Sequence, residues 1–121
     1  MGSKQEHDDL LKSIYHDVLN DEFCSEKYNF ATERNYRDPE HTRHRIVGEF
    51  DILGSPIKKE YRVYLEVKSS YNQSGKGRKQ IKRAKNFFDQ YDVEMYGKVL
   101  MPDYDFEEDV KKYLVDLYKT H

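Results

Sequence analysis

The chain has 121 residues, of which 36% are charged, and a formal net charge of −2 at pH 7. This length predicts one domain over residues 1–121, and the single cysteine, Cys24, excludes an intramolecular disulfide and a cysteine zinc cage. No apolar run approaches membrane-spanning length and no secretory signal is present, so we expect a cytoplasmic, intracellular protein without a membrane partner.

The small net charge conceals a strong segregation along the chain. Residues 34–85 carry fourteen Lys or Arg against six Asp or Glu, whereas residues 86–121 carry four against nine. A basic middle segment favours a polyanionic partner such as nucleic acid. The alternative is a solvated basic face that the acidic tail neutralises.

The chain begins with a predicted helix over residues 6–22, in which apolar residues recur at helical spacing. The apolar stripe consists of Leu10, Leu11, Ile14, Tyr15, Val18 and Leu19. Glu6 stands four residues before Leu10 and therefore shares the face of the stripe. Its charge also suits the positive end of the helix dipole, which is the alternative role for this residue.

A strand is predicted over residues 28–36, followed by a loop over residues 37–44. On this strand Glu33 is an ordinary strand residue or a weaker candidate for a metal ligand. Arg43 in the loop, and Arg45 just after it, are expected to contact phosphates of a nucleic acid.

A β-hairpin is predicted between residues 45 and 70, because two alternating segments flank the turn residues Gly-Ser-Pro at 54–56. The first segment is predicted to place Ile46, Phe50 and Ile52 on one face and Val47, Glu49, Asp51 and Leu53 on the other. The second is predicted to place Val63, Leu65 and Val67 on one face and Tyr64, Glu66 and Lys68 on the other. A turn centred near residues 58 and 59 sets Asp51 opposite Glu66.

Two carboxylates side by side on neighbouring strands call for a physical reason, because like charges placed there are destabilising. A divalent cation supplies one, since hard oxygen ligands suit Mg²⁺, Mn²⁺ or Ca²⁺. Lys68 lies two residues beyond Glu66 and can bring a positive charge to the same site. Taken singly, Glu66 and Lys68 could be an exposed pair of little energetic value, and Asp51 a strand-end residue. Glu49 is predicted to lie on the same face as Asp51. It either joins the metal site or only forms a salt bridge with an arginine such as Arg62.

Beyond the hairpin, a polar loop leads into a predicted helix from Arg78 to Gln90. Six basic residues fall within ten positions without an acid among them: Lys76, Arg78, Lys79, Lys82, Arg83 and Lys85. This is the strongest indication of nucleic-acid binding in the chain. Gln80 lies at the edge of the apolar face of this helix.

A short buried strand over residues 97–101 and a final helix complete the chain. Asp103 or Asp105 is expected to cap that helix. Its predicted core stripe is Phe106, Val110, Tyr113, Leu114, Leu117 and Tyr118. The predicted order of elements in this α/β domain is therefore α-β-β-β-α-β-α.

One pattern in the hairpin resembles the signature of a nuclease family. Asp51 is separated by fourteen residues from Glu66-Val67-Lys68, and the surrounding sequences are Gly48-Glu49-Phe50-Asp51-Ile52 and Tyr64-Leu65-Glu66-Val67-Lys68-Ser69. This resembles the PD-(D/E)xK nucleases, in the branch that contains Holliday-junction resolvases, although Phe50 stands where the family has a proline. The resemblance implies a restriction-endonuclease-like αβββαβα core with a mixed sheet flanked by helices.

The same resemblance implies a function and a set of site residues. It implies a Mg²⁺-dependent endodeoxyribonuclease, with Mn²⁺ able to substitute, that acts on DNA as a homodimer and selects DNA structures as Holliday-junction resolvases do. In the family pattern, Asp51 and Glu66 hold the metal together with the backbone carbonyl of Val67. A glutamate on the first helix joins them, and Glu6 is the residue that matches.

The family lysine, here Lys68, orients the attacking water or stabilises charge on the phosphoryl oxygens, and related nucleases place a glutamine near the site, for which Gln80 is the match. A surface glutamine in a helix is the alternative for Gln80. For the whole chain, the alternatives are another PD-(D/E)xK DNA-processing nuclease, whether repair, restriction-like or viral, and a catalytically inactive nucleic-acid-binding module.

Overall fold

The computed structural model describes residues 4–37 and 46–121; the side chains of residues 33–37, 46 and 47 lie outside this description. Its helices are α1 (Lys4–Asn20), α2 (Glu22–Lys27), α3 (Ser74–Asp89) and α4 (Lys112–Thr120). Its strands are β1 (Tyr28–Arg37), β2 (Ile46–Pro56), β3 (Arg62–Val67) and β4 (Met95–Leu100). A 3₁₀ turn, Tyr71–Gln73, precedes α3, and a π-helical turn, Phe106–Lys111, continues into α4.

The first predicted helix is in fact two helices. α1 ends at Asn20, and the side chain of Asp21 then caps α2 by accepting the N–H of Cys24 at 3.0 Å. The predicted helix over residues 6–22 was therefore too long at its end, and α2 was not predicted. Cys24 is fully buried, and this burial, reinforced by the hydrogen bond with Asp21, raises the pKa of its thiol to about 12.

The strands form one mixed four-stranded sheet in the order β1-β2-β3-β4. β2 runs antiparallel to both β1 and β3, whereas β3 and β4 are parallel. The predicted hairpin register is confirmed, because Ile52 pairs with Leu65 and Leu53 with Tyr64. A mixed α/β fold with a mixed sheet flanked by helices is thus confirmed.

The connection between β2 and β3 differs from the prediction. Gly54, Ser55 and Pro56 were expected to form the turn, yet they continue β2 and pair with the start of β1. β1 packs closely against this part of β2, because a Cβ on Gly54 would lie 3.1 Å from the ring of Phe30. The turn is confined to residues 57–60, which are centred near residues 58 and 59 as the register predicts, with Lys58 in the left-handed region at φ 66°.

Each face of the sheet carries its own apolar cluster. The larger cluster joins α1, α2 and the final helix to β3, with fully buried Ile14, Val63 and Leu114 among its members. The smaller cluster joins α3 to the sheet and includes Phe50, Tyr64, Ile81, Ala84 and Met95. Burying a large aliphatic side chain contributes about 1.5–3 kcal/mol, so these two clusters hold the helices on opposite faces.

α3 begins four residues earlier than predicted, at Ser74 rather than Arg78. Gly77 permits this, because a Cβ there would lie 2.9 Å from Val99 Cγ2, too close for any other residue. Residues 74–77, predicted as loop, therefore form the first turn of a helix that packs tightly on β4.

The end of the chain follows the prediction closely. Asp105 caps the final helix by accepting the N–H of Glu108 at 3.3 Å, and Val110 and Leu114 of the predicted stripe are fully buried. Among residues 4–37 and 46–121, no helix combines the length and apolar character required to cross a membrane.

Candidate active site

The candidate site lies where the ladder between β2 and β3 ends. The last described pair is Ile52 with Leu65, and the next residues along each strand are Asp51 and Glu66. Asp51 is 8% exposed and Glu66 is 2% exposed. Among the side chains that the structure describes, these are the only charged ones that are buried. The strand register therefore brings the two predicted carboxyls together inside the protein.

Asp51 ends the ladder with its own side chain. Its Oδ2 accepts the backbone N–H of Val67 at 2.8 Å. The N–H groups of Arg62 and Lys68 donate to the carbonyls of Glu94, just before β4, and Leu100 at 2.9 and 3.0 Å. By strand alternation the N–H of Val67 therefore points toward β2. The carboxylate therefore occupies the place that a main-chain carbonyl of β2 would take.

The predicted faces of β2 are wrong at Phe50. Phe50 and Ile52 were expected to share a face, but Phe50 packs in the α3 cluster and Ile52 in the opposite one. The ring of Phe50 lies 4.8 Å from that of Tyr64, in an edge-to-face contact. Phe50 thus packs on the α3 side of the sheet, one residue before the carboxylate that accepts the Val67 N–H.

Glu66 is held by a buried tyrosine. The hydroxyl of Tyr64 donates to Glu66 Oε2, and it also lies 3.2 Å from the carbonyl oxygen of Glu49. Burial, together with the hydrogen bond and charge of Asp51, raises the pKa of Glu66 to about 9. Tyr64 and the Lys68 ammonium oppose it. The pair therefore shares a proton at neutral pH unless a cation takes its place.

Lys68 reaches the site from the end of β3. It is partly buried, and a Cβ on Gly77 would lie 3.4 Å from its Cγ. The aliphatic part of Lys68 therefore packs beside the first turn of α3. Its charge acts on Glu66, whose pKa it lowers, as expected for a cation next to a carboxylate.

The first helix contributes a residue that sequence reasoning missed. Glu6 is exposed on α1, and it is the neighbouring His7 that approaches the pair, with Nε2 at 3.4 Å from Asp51 Oδ2. The buried residues of α1 are Leu11, Ile14 and Val18. His7 lies four residues before the buried Leu11, so it shares the face of α1 that packs on the sheet. Glu6 was chosen because it lies four residues before Leu10, which is only partly buried.

The remaining predicted residues lie elsewhere. Gln80 is exposed on α3, as are all five predicted nucleic-acid-binding residues of this helix: Lys76, Arg78, Lys79, Lys82 and Arg83. Glu49 is exposed as well, and only its main-chain oxygen approaches the site. Arg43, Arg45 and the side chain of Glu33 lie outside the described residues.

The donor set is a carboxylate pair rather than a closed cage. Among the side chains of residues 4–32 and 48–121, no three His, Cys, Asp or Glu form a group that could hold a metal ion. A pair suits Mg²⁺, which keeps several waters and binds through one or two carboxylates together with substrate phosphates. It does not suit Zn²⁺, which needs three or four protein ligands.

Comparison with known proteins identifies no relative. No protein-family model matches the chain, and neither a curated protein nor a solved structure matches it. The interpretation of the site therefore depends on the geometry of its own residues.

Proposed function

We propose that this protein is a Mg²⁺-dependent nuclease that hydrolyses phosphodiester bonds in DNA, built on a restriction-endonuclease-like core. The observation that supports this most is the burial of Asp51 and Glu66 side by side, with Lys68 next to them. Asp51 raises the pKa of the buried Glu66 carboxyl, so the pair needs a proton or a cation between the two groups. A cation with open coordination positions gives the pair a chemical role.

Each residue of the site has a distinct part in this proposal. Asp51 and Glu66 would hold Mg²⁺ together with the backbone carbonyl of Val67, a residue whose N–H donates to Asp51. When bound, the ion supplies Lewis-acid polarisation of the phosphate and a more acidic bound water. The ammonium of Lys68 orients that water or stabilises charge that develops on the phosphoryl oxygens.

The residues around this core have supporting parts. Tyr64 holds the Glu66 carboxyl in place through its hydroxyl. His7 contacts Asp51 from α1, next to Glu6, the residue that was expected to join the site from this helix. Gln80, exposed on α3, fits contact with a substrate lying along that helix better than contact with the metal.

The exposed basic face of α3 supports DNA as the substrate, because a polyanion bound there would lie next to Lys68. Within this class we favour a structure-selective endonuclease that resembles Holliday-junction resolvases. It would act as a homodimer, because a chain of 121 residues is small for holding a four-way junction alone. Another DNA-processing nuclease on the same core is the alternative.

The test is cleavage of four-way junction, flap, duplex and single-stranded DNA in Mg²⁺, in Mn²⁺ and in EDTA. Lys68→Ala and Asp51→Asn are expected to lower the cleavage rate by about 100-fold or more, with DNA affinity retained. Asn keeps an oxygen that can accept the Val67 N–H, so the fold should survive this change. Metal-dependent cleavage that both variants retain would disprove the assignment.

A DNA-binding protein without catalysis is the second candidate, and one observation favours it. Asp51 accepts the Val67 N–H and Glu66 accepts the Tyr64 hydroxyl, so a proton-sharing pair has partners inside the protein without any ion. Calorimetric titration with Mn²⁺ separates the two candidates. Binding of Mn²⁺ that Glu66→Gln abolishes supports the nuclease, whereas DNA binding without Mn²⁺ binding or cleavage supports the second candidate.

A further inference from the structure

A groove lies between the first half of α3 and the outer edge of β4, with a volume of about 370 Å³. We call it the α3–β4 groove. Its floor is apolar and consists of Ile81, Val99 and Met101, and two cationic side chains, Arg78 and Lys98, also line it. Neither the carboxylate pair nor its immediate contacts belong to this groove.

The apolar floor and the two cationic side chains restrict which ligand could bind in the groove. Phosphates alone need cations but make no use of an apolar floor. A planar, weakly polar ring that carries a phosphate uses both. The ammonium of Lys98 lies 5.4 Å from the centre of the Tyr113 ring and 3.9 Å from Asp109, in an ion pair that is partly exposed. Pairs of this kind hold a side chain only weakly.

The edge of β4 adds a donor and an acceptor. β4 is the last strand of the sheet that the structure describes. The carbonyls of Glu94, just before β4, and Leu100 accept the N–H groups of Arg62 and Lys68, at the two ends of β3. By alternation, the main-chain groups of Gly97 and Val99 point to the outer edge. The hydroxyl of Tyr113 donates to the Gly97 carbonyl at 3.2 Å. The open part of this edge is therefore too short to add a peptide strand, but it suits the edge of one base.

The groove adjoins the candidate active site. A Cβ on Gly77 would lie 2.9 Å from Val99, in the floor of the groove, and 3.4 Å from Lys68, at the carboxylate pair. The first turn of α3 therefore lies between the groove and the candidate active site. A nucleotide in the groove would continue directly into a phosphodiester bond at the site.

We propose that the α3–β4 groove binds one unpaired nucleotide of the nucleic acid, with its base on the apolar floor and its phosphate near Arg78 and Lys98. This inference rests on the proposed function and deepens it, because it names a substrate that carries a base outside the duplex. The groove then selects DNA structure, while the carboxylate pair carries the chemistry.

The experiment compares a fully paired DNA duplex with the same duplex carrying one unpaired 2-aminopurine, in EDTA so that binding is measured without cleavage. Fluorescence anisotropy is expected to give about tenfold tighter binding of the bulged duplex, and 2-aminopurine emission to change on binding, because a base gains stacking and apolar contacts. Lys98→Ala and Met101→Glu should each remove most of this preference. Lys112→Ala, which removes the same charge from the exposed side of α4, should leave it unchanged.

Equal weakening of both duplexes by Lys98→Ala and Met101→Glu would overturn the proposal, as would equal affinity of the unaltered protein for the two. Thermal melting of each variant separates loss of the groove from loss of the fold. A preference for the bulge without any cleavage in Mg²⁺ would remove the proposed function and leave the groove assigned. Cleavage in Mg²⁺ without a preference for the bulge would support the proposed function and remove the assignment of the groove. An equal preference for bulged RNA would show that the groove recognises the base rather than the sugar.

Discussion

Glu66 is surrounded by groups that act in opposite directions on its proton. Burial and Asp51 favour the protonated carboxyl, whereas the Tyr64 hydroxyl and the Lys68 charge favour the carboxylate. Burial and Asp51 together have the larger effect, so the pKa of Glu66 rises to about 9. A bound divalent cation would reverse this balance, because it replaces the proton between the two carboxyls.

This balance predicts how stability depends on pH in the absence of metal. The pKa of Glu66 is raised from 4.5 to about 9 on folding, so the folded state binds more protons than the unfolded chain between these values. Its contribution to stability is fully present below about pH 4.5 and is lost as pH rises through 9. We expect the free energy of unfolding, measured by urea titration in EDTA, to fall by a few kcal/mol over this range.

Glu66→Gln provides the control for this measurement, because it removes the titrating group and keeps the shape. Its free energy of unfolding should decline less between pH 5 and pH 9 than that of the unaltered protein. Curves that run parallel over the whole range would contradict a raised pKa for Glu66.

At the scale of elements, tight packing of α3 on β4 sets the position of Lys68. A Cβ on Gly77 would lie 2.9 and 3.1 Å from the two methyl groups of Val99. Gly77→Ala is therefore expected to push α3 outward and lower the free energy of unfolding by about 1–3 kcal/mol. Because Lys68 packs beside the same turn, cleavage and Mn²⁺ binding should weaken as well. Urea titration and Mn²⁺ calorimetry measure the two effects.

Gly75→Ala is the matched control, two residues earlier in the same helix. The nearest atom to a Cβ there is Arg78 Nη2 at 3.9 Å, an ordinary contact. This change should stabilise the protein by about 0.5–1 kcal/mol, because alanine favours the helix over glycine. A similar response of the two variants would show that packing at Gly77 is not tight.

Parts of these elements follow from local sequence, and other parts depend on tertiary contacts. The alternation of Val63, Leu65 and Val67 and the length of the connection were sufficient to predict the register that sets Asp51 opposite Glu66. The cap at Asp105 also follows from local chemistry. The choice between Glu6 and His7 does not, since it depends on which of two adjacent stripes of α1 meets the sheet.

The errors along the hairpin have the same origin. The extension of β2 through residues 54–56 depends on β1, which supplies hydrogen bonds that the turn-forming sequence does not reveal. The packing of Phe50 on the α3 side depends on its contact with the ring of Tyr64 on β3. Neither effect has a periodic signal in the sequence, because each arises from one contact between distant residues.

At the scale of the whole molecule, charge is divided between the two faces of the sheet. α3, with six basic residues, packs on the face that carries Tyr64. The final helix begins with Glu107, Glu108 and Asp109 and packs on the opposite face. DNA is therefore expected to approach from the α3 side, where the local potential is positive despite the net charge of −2.

The salt dependence of DNA binding tests this polarity. Lys82→Ala with Arg83→Ala is expected to reduce the slope of log affinity against log salt by about 1.8, or about 0.9 for each phosphate contact removed. Lys112→Ala with Lys119→Ala removes two exposed charges from α4 and should leave the slope unchanged. Fluorescence anisotropy between low and moderate salt gives both slopes. Equal effects of the two pairs would mean that only the overall charge matters.

The seclusion of Cys24 has a practical consequence. This thiol is the only one in the chain, it is enclosed where α2 meets α1 and the final helix, and its pKa is about 12. An alkylating reagent can therefore modify the protein only when this layer separates, so the rate of modification measures how often it does so. A cysteine introduced on the surface would then be the sole reactive position for attaching a dye.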